Sequence, residues 1–312
     1  MSKISVILCT YNRAESLKDT LEALKKQAIS SAHELEILVI DNNSRDRTKG
    51  VTESATGGSL FPIRYIFEAN QGKSFALNRG IMESNGEYLL FTDDDIIPPT
   101  DWAETLANSF DRYQADSVGG KVLPLWQGTP SGWLLSPVLK QNVNGVLAML
   151  DHGDEIRISD GNNENFLYGC NIGFRKSIFN EFGNYRTDLG PLGKKLFRGE
   201  DTEMMKRVLS AGKKVAYIPQ ASVFHKVETE RMTLAYFRKR RFHGGQSDYF
   251  RLPQEKRRIP FWFIRECFSN GLKSLHLYLQ GSKELAIARE LTFWAQFGRI
   301  IGGLQSSWRR SL

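Results

Sequence analysis

The sequence predicts an α/β protein in which a mostly parallel sheet is flanked by helices and followed by a helical C-terminal extension. Three observations predict it. Short runs rich in Ile, Val and Leu alternate with segments of helical period through the N-terminal half. Each run stops at a cluster of polar residues. The last quarter then turns basic and aromatic, with helical rather than strand-like patterning.

Lys3–Cys9 reads as a first strand, with Thr10-Tyr11-Asn12-Arg13 at its carboxyl end. Leu17, Leu21, Leu24 and Ala28 mark one face of the helix that follows. Leu35–Ile40 is a second buried strand, ending in Asp41-Asn42-Asn43-Ser44. Ile63–Phe67 is a third, followed by Asn70-Gln71-Gly72 and a helix from about Lys73 to Ser84. A fourth buries Leu89, Leu90 and Phe91 and stops at Asp93-Asp94-Asp95. Right-handed crossovers would bring all these polar ends to one edge of the sheet, where open α/β sheets bind ligands.

The three aspartates admit two readings. One is a solvated acidic turn ahead of Pro98-Pro99. In the other, strand alternation points Asp93 and Asp95 the same way, and a hard cation such as Mg²⁺ or Mn²⁺ offsets their repulsion. Such a cation usually arrives with a phosphate-bearing substrate.

With 312 residues, 41% hydrophobic and 25% charged, the chain has the composition of a globular protein with a full core. Cys9, Cys170 and Cys267 are far apart and form no C-x-x-C pair; neither a disulfide framework nor a zinc site is suggested, which fits a reducing compartment. No basic-then-apolar leader opens the sequence, and no run of ~18 apolar residues is present to span a bilayer. The net charge of +7 is unevenly placed. Residues 1–225 carry 25 Lys and Arg against 28 Asp and Glu, whereas residues 226–312 carry 17 against 7. The basicity belongs to the C-terminal quarter and points to an anionic surface.

The ordered set of motifs resembles family-2 glycosyltransferases of GT-A fold, which are built on a Rossmann-like sheet. It comprises Val6–Arg13, Asp41 after strand two, Asn70-x-Gly72 with Asn78, Asp93–Asp95, Gly119-Gly120, Gly169-Cys-Asn-Ile-Gly-Phe-Arg175 and Gly199-Glu-Asp201. The resemblance covers about residues 1–225. It implies a catalytic domain over 1–228, with a nucleotide-sugar half to about 122 and an acceptor half from about 123. A basic, aromatic helical region over 229–312 follows. Leu77 stands where members often carry Arg, so Lys73 is the expected phosphate contact instead.

The resemblance also implies roles. Thr10, Tyr11, Arg13 and Asp41 would hold the base and ribose of a nucleotide-sugar donor, with UDP favoured. Their hydroxyl, ring face, cation and acceptor suit that task; helix-capping and turn work is the structural alternative. Asn70, Lys73, Asn78, Asp93 and Asp94 complete the donor site. Asp95, Asp93 and His225 would hold Mn²⁺ or Mg²⁺, with Asp95 the main ligand and Asp93 touching the ribose. Gly169, Asn171, Arg175 and Glu200 would lie near the donor sugar and acceptor. Pro191–Arg198 resembles a flexible loop over the site. By position Asp201 matches the family's catalytic base, taking the acceptor hydroxyl's proton in a direct, inverting displacement. Acidic residues in a helix's first turn are favoured by the macrodipole in any case.

Trp126–Asn165 carries no readable motif. Beyond His225, Arg238-Lys-Arg-Arg241 is expected in a helix that ends near Gly244-Gly245, and Arg241 is a candidate for reaching a diphosphate or an anionic acceptor. Lys256–Leu312, with Trp262, Trp294 and Trp308, reads partly as an interfacial anchor for an anionic membrane and partly as a packed helical subdomain. The expected acceptor is a saccharide or a lipid-linked sugar. The expected location is cytoplasmic, peripheral on the inner face of the membrane. A nucleic-acid-binding module lacks any zinc-finger, KH or RRM pattern, so no nucleic-acid partner is expected. A Rossmann oxidoreductase would need G-x-G-x-x-G after the first strand, where Thr10–Arg13 stands. Processive polysaccharide synthases carry membrane spans and a Q-x-x-R-W motif, both missing here.

Overall fold

The computed structural model describes residues 2–159, 161, 166–191, 198–252 and 256–308. The chain divides into two compact units. The first contains Met1–Leu125, Leu150–Asp188 and Glu200–Lys226. The second contains Trp126–Met149, Leu189–Gly199 and Val227–Leu312. Two inserted segments therefore group with the C-terminal helices, where a single cut after 228 was expected. The middle of the expected Pro191–Arg198 loop, residues 192–197, lies outside the described residues.

The first unit opens with β1 (Ser2–Thr10), α1 (Ala14–Leu24), β2 (His33–Asp41), α2 (Thr48–Thr56), β3 (Ile63–Phe67), α3 (Lys73–Glu83) and β4 (Tyr88–Asp93). After β5 (Ile96–Ile97), α4 (Trp102–Arg112), β6 (Ser117–Gly119) and β7 (Val122–Trp126), the chain contributes α5 (Lys140–Leu147) to the second unit. It returns through β8 (Arg157–Ile158), β9 (Asn171–Arg175), α6 (Ser177–Phe182), α7 (Glu200–Ser210), β10 (Val215–Tyr217) and β11 (Val223–Val227).

Eight strands form one sheet in the order β3-β2-β1-β4-β9-β6-β10-β8. The β1–β4 half is parallel, β9 runs antiparallel to both its neighbours, β10 is parallel to β6, and β8 is antiparallel to β10. Helices on both faces explain why Ile4, Val6, Ile7 and Leu8 are all buried without alternation. Leu17, Leu21 and Leu24 close the α1 side, each contributing about 1.5–3 kcal/mol by leaving water. The register is what positions the site. Thr10 lies opposite Asp41, and Cys9 opposite Asp93, so three strands end level on one edge.

A smaller sheet, β5-β11-β7, caps that edge. His225 pairs with Ile96 in the middle of β11, not at the close of a strand over Ala221–Phe224. The backbone N–H of Lys226 donates to the Asp95 carbonyl at 2.8 Å, fastening β11 to the aspartate turn.

The second unit packs α5 and two 3₁₀ turns, Gly132–Leu135 and Pro137–Leu139, with α8 (Leu234–Arg251), α9 (Phe261–Leu279) and α10 (Lys283–Trp308). Leu139, Leu147, Phe237, Ile287 and Leu291 form its core. The expected helix end at Gly244-Gly245 is instead a crossing. A Cβ on Gly245 would sit 1.8 Å from the Ala295 carbonyl oxygen, and one on Gly298 would sit 1.9 Å from that of Phe242. These glycines let α8 and α10 touch backbone to backbone, so α8 runs through them. Trp294 packs against Phe242, Phe293 and Phe297, whereas Trp262 is exposed; the Trp308 side chain lies outside the described residues.

Candidate active site at the carboxyl edge of the sheet

Besides Asp41, the edge gathers five carboxylates and two cations in the first unit. β4 stops at Asp93, and Asp94-Asp95 form a turn into β5, so strand alternation no longer governs them. Asp93 takes the Lys73 ammonium at 2.6 Å. Asp94 and Asp95 share Arg13 instead: its Nε lies 3.4 Å from Asp94 Oδ1, and its Nη1 donates to Asp95 Oδ2 at 3.0 Å. Thr10 Oγ1 donates to Asp94 Oδ2 at 2.7 Å. Burial pushes the Asp94 carboxyl up to about 7; Asp95 and Asp93 add to the rise, while Arg13 and Thr10 oppose it.

Asp95 Oδ2 also lies 3.3 Å from His225 Nε2, and both residues are almost wholly buried. That separation is near the ~3.0 Å edge between adjacent ligands that each stand about 2.1 Å from an octahedral ion. Among the described residues no group of three or more His, Cys, Asp or Glu is arranged to hold a metal ion. Asp95 and His225 are the residues here that could hold a divalent ion, one carboxylate oxygen and one imidazole nitrogen with phosphate and water left to complete the shell; Asp95 Oδ2 is the same oxygen that accepts from Arg13.

The loops around this edge are built by asparagines. Asn12 and Asn43 adopt φ values of 52° and 66°, which Asn tolerates better than most residues. Asn12 N–H donates to Ser44 Oγ at 2.8 Å, and Asn12 Oδ1 accepts from Arg45 N–H at 2.7 Å, so the loops after β1 and β2 are tied together. Tyr11 stays partly exposed beside them. Asp41 accepts from Tyr65 Oη at 2.7 Å and from Ser44 N–H at 2.9 Å, while burial and this contact push the Tyr65 phenol up. Asn42, which sequence reasoning treated only as a strand end, accepts from Gly72 N–H at 2.7 Å and donates to the Asn70 carbonyl at 2.6 Å. Asn70 itself is held by Glu68.

The α7 side supplies the remaining acids. Glu200 and Asp201 open the helix, where the macrodipole favours them. Gly169 N–H hydrogen-bonds Asp201, and a Cβ at 169 would stand 2.2 Å from Asp201 Oδ2. Only glycine leaves room for that carboxylate. Burial and Glu200 push Asp201 up to about 7, against the pull of Lys73 and the Gly169 N–H. Lys73 is half-buried, and desolvation lowers its pKa, yet Asp93, Asp201 and Glu200 hold its ammonium well above the usual range. Cys9 and Cys170 nearby are buried thiols pushed up by desolvation, hence unreactive.

Three expected site residues are occupied elsewhere. Asn78 exchanges both amide hydrogen bonds with the Tyr185 backbone, each at 2.9 Å. Asn171 is fully buried, accepting from Trp102 Nε1 at 2.8 Å and donating to the carbonyls of Lys121 and Ala221. Arg175 stands opposite Tyr88, at the amino end of β4 and so at the other edge of the sheet. There it pairs with Asp111 at 2.8 Å and Glu87 at 3.3 Å. Arg241 belongs to the second unit, where its Nε donates to the Leu291 carbonyl at 3.3 Å and burial and Arg198 lower its affinity for a proton.

Residues 5–183 match the family described as Glycosyl transferase family 2. The succinoglycan biosynthesis protein ExoM of Rhizobium meliloti is 30% identical over 254 residues, covering 81% of this chain and 76% of its own. A glucosyl-dolichyl phosphate glucuronosyltransferase of Haloferax volcanii is 27% identical, with 78% and 76% covered. The mannosyltransferase PcManGT of Pyrobaculum calidifontis, solved with GDP-Man and Mn²⁺, superposes with a TM-score of 0.57 at 18% identity, over 96% of this chain and 74% of that one. S. aureus TarS in complex with UDP superposes with a TM-score of 0.55 at 14% identity, over 99% and 92%. These two solved structures share the fold.

Proposed function

The chain belongs to glycosyl transferase family 2, and within that family we propose that it moves one sugar from a nucleotide-diphosphate donor to a saccharide or lipid-linked acceptor, inverting the anomeric carbon. UDP is the preferred nucleotide in this reading. The observation that carries it is the line of charge from Asp93 through Lys73 to Asp201, which sets a carboxylate poised near neutrality beside the strand ends.

In this mechanism the Thr10–Arg13 and Asp41 loops hold the base and ribose, and Asp93 orients the ribose. Lys73 and Arg13 face the diphosphate with positive charge. A divalent ion held by Asp95 and His225 would stabilise the departing diphosphate as a Lewis acid. Asp201 accepts the acceptor's hydroxyl proton as that oxygen bonds to the anomeric carbon and the bond to the diphosphate oxygen breaks. The names of the relatives, one acting on glucosyl-dolichyl phosphate and one in succinoglycan biosynthesis, favour a lipid-linked or growing saccharide acceptor in polysaccharide assembly. No described helix is long and apolar enough to cross a membrane, and we place the enzyme as a peripheral protein at the cytoplasmic face.

A thermal-shift series tests the donor and metal assignments, because a ligand of the native state raises the melting temperature by mass action. UDP is expected to raise it more with Mn²⁺ than with EDTA, and Asp95→Ala to remove the difference. Equal shifts in EDTA would contradict the metal assignment.

A further inference from the structure

The second unit contains a helix whose polarity is inverted. The side of α9 that faces α10 is small and polar. Cys267 Sγ lies 3.8 Å from the Phe293 carbonyl, Asn270 Nδ2 donates to Gln296 Oε1 at 3.0 Å, and Ser274 Oγ donates to the Ala286 carbonyl at 2.9 Å. The opposite side carries Phe261, Phe268, Leu272, Leu275 and Leu279, with exposures of 79, 60, 70, 58 and 80%. At about 100° per residue these five fall within an arc of roughly 60° centred opposite Asn270. Trp262, 64% exposed, flanks them. A monomeric protein rarely leaves so regular an apolar stripe in water.

Charge selects the occupant. Residues 256–289 carry seven Lys or Arg against two Glu. A shallow groove of about 440 Å³ beside the stripe is lined by Leu272, Lys273, His276, Leu277 and Arg289, an apolar floor under basic side chains. A second copy docking through the same face would bring two such positive patches together. An anionic lipid surface satisfies both features at once: acyl chains meet the stripe and headgroup phosphates meet the cations. The helix is also too polar to insert across the bilayer.

We propose that the outer face of α9 docks the protein on an anionic phospholipid surface, with the helix lying along the headgroup boundary and the Lys273–Arg289 groove holding a headgroup phosphate. This names the surface behind the peripheral placement given above and is independent of the catalytic assignments.

The test uses the full chain with vesicles of phosphatidylglycerol and phosphatidylcholine, and with vesicles of phosphatidylcholine alone. Co-sedimentation is expected with the first and at least about tenfold weaker with the second. Phe268→Ser combined with Leu272→Ser lies wholly on the exposed stripe, so it is expected to keep the melting temperature and the UDP thermal shift. The same variant is expected to lose at least about tenfold in vesicle affinity. Lys273→Glu with Arg289→Glu is expected to abolish the preference for phosphatidylglycerol. Wild type that ignores both vesicles, or a stripe variant that binds like wild type, overturns the proposal. So does a chain that dimerises in solution through the stripe without binding vesicles, which would make the face an interface between copies. A missing UDP shift alongside intact vesicle binding would count against the donor assignment and leave the docking face standing.

Discussion

The two ends of β4 carry the same kinds of residue in opposite circumstances. At the amino end, Arg175 meets Glu87 and Asp111, whose side chains are more than half exposed, and stacks near the Tyr88 and Phe110 rings. Water screens that cluster, and the hydrogen bonds from Arg175 and Tyr88 hold the Asp111 carboxyl below its usual range. At the carboxyl end, Asp93, Asp94, Asp95, Glu200 and Asp201 face Lys73 and Arg13. The carboxylates outnumber the cations and most are buried, so two are pushed to about 7. Charge alone does not mark a site. Buried charge left uncompensated does, because the fold tolerates that cost where a ligand will offset it.

Substitutions can break this contrast. Among substitutions that leave the carboxylates themselves in place, the largest effect is expected from Gly169→Ala, whose methyl would overlap the Asp201 carboxylate. Displacing a reacting group by ~1 Å costs about 10²-fold in rate, and initial-rate assays are expected to show at least that loss with the circular dichroism spectrum retained. Lys73→Met comes next. It removes the cation shared by Asp93 and Asp201, so calorimetry is expected to show roughly tenfold weaker nucleotide-diphosphate binding, as for loss of a hydrogen bond to a charged group. Lys73 also holds the Asp201 carboxyl down, so the acid limb of the pH–rate profile is expected to move to higher pH. The smallest effect belongs to Arg175→Gln at the other end. Its solvent-screened pairs make a loss of about 1 kcal/mol or less, with transfer rates unchanged. A large catalytic loss there would erase the distinction between the two ends and restore Arg175 to the acceptor site.

Much of this was legible in the sequence. Continuous Ile, Val and Leu runs gave the parallel half of the sheet, since strands covered on both faces need no alternation. The polar ends of those runs placed Thr10, Asp41 and Asp93 on one edge, which the register confirms. Pairing inside the edge was not legible. Whether Arg13 meets Asp95, or Lys73 meets Asp93, depends on the turn after β4 and on the rotamers of these long side chains, neither of which periodicity sets. Asn42 and Tyr65 escaped notice because their partners are distant in sequence. Arg175 was misleading for a related reason: β9 runs antiparallel, so a motif that begins near Asp201 ends at the far edge. In the second unit, Gly244-Gly245 looked like a stop because close helix crossings leave no local signature.

The central claim is that Asp201 is the base, and Asp201→Asn tests it most directly. Asn keeps the shape and the capacity to accept from Gly169 N–H but cannot take a proton. Nucleotide and metal affinity are expected to stay within about twofold of wild type while kcat falls by ~10²–10⁴. In wild type the rate is expected to fall as pH drops through about 7, where Asp201 protonates. Stability carries the opposite sign. A carboxyl raised from 3.8 to about 7 favours folding in its protonated form, so that contribution is complete below pH ~4 and lost as pH rises through 7. The Asn variant is therefore expected to melt above wild type at pH 8, with the gap closing toward pH 4. Near-normal transfer by the Asn variant, with no gain in melting temperature at pH 8, would contradict the account.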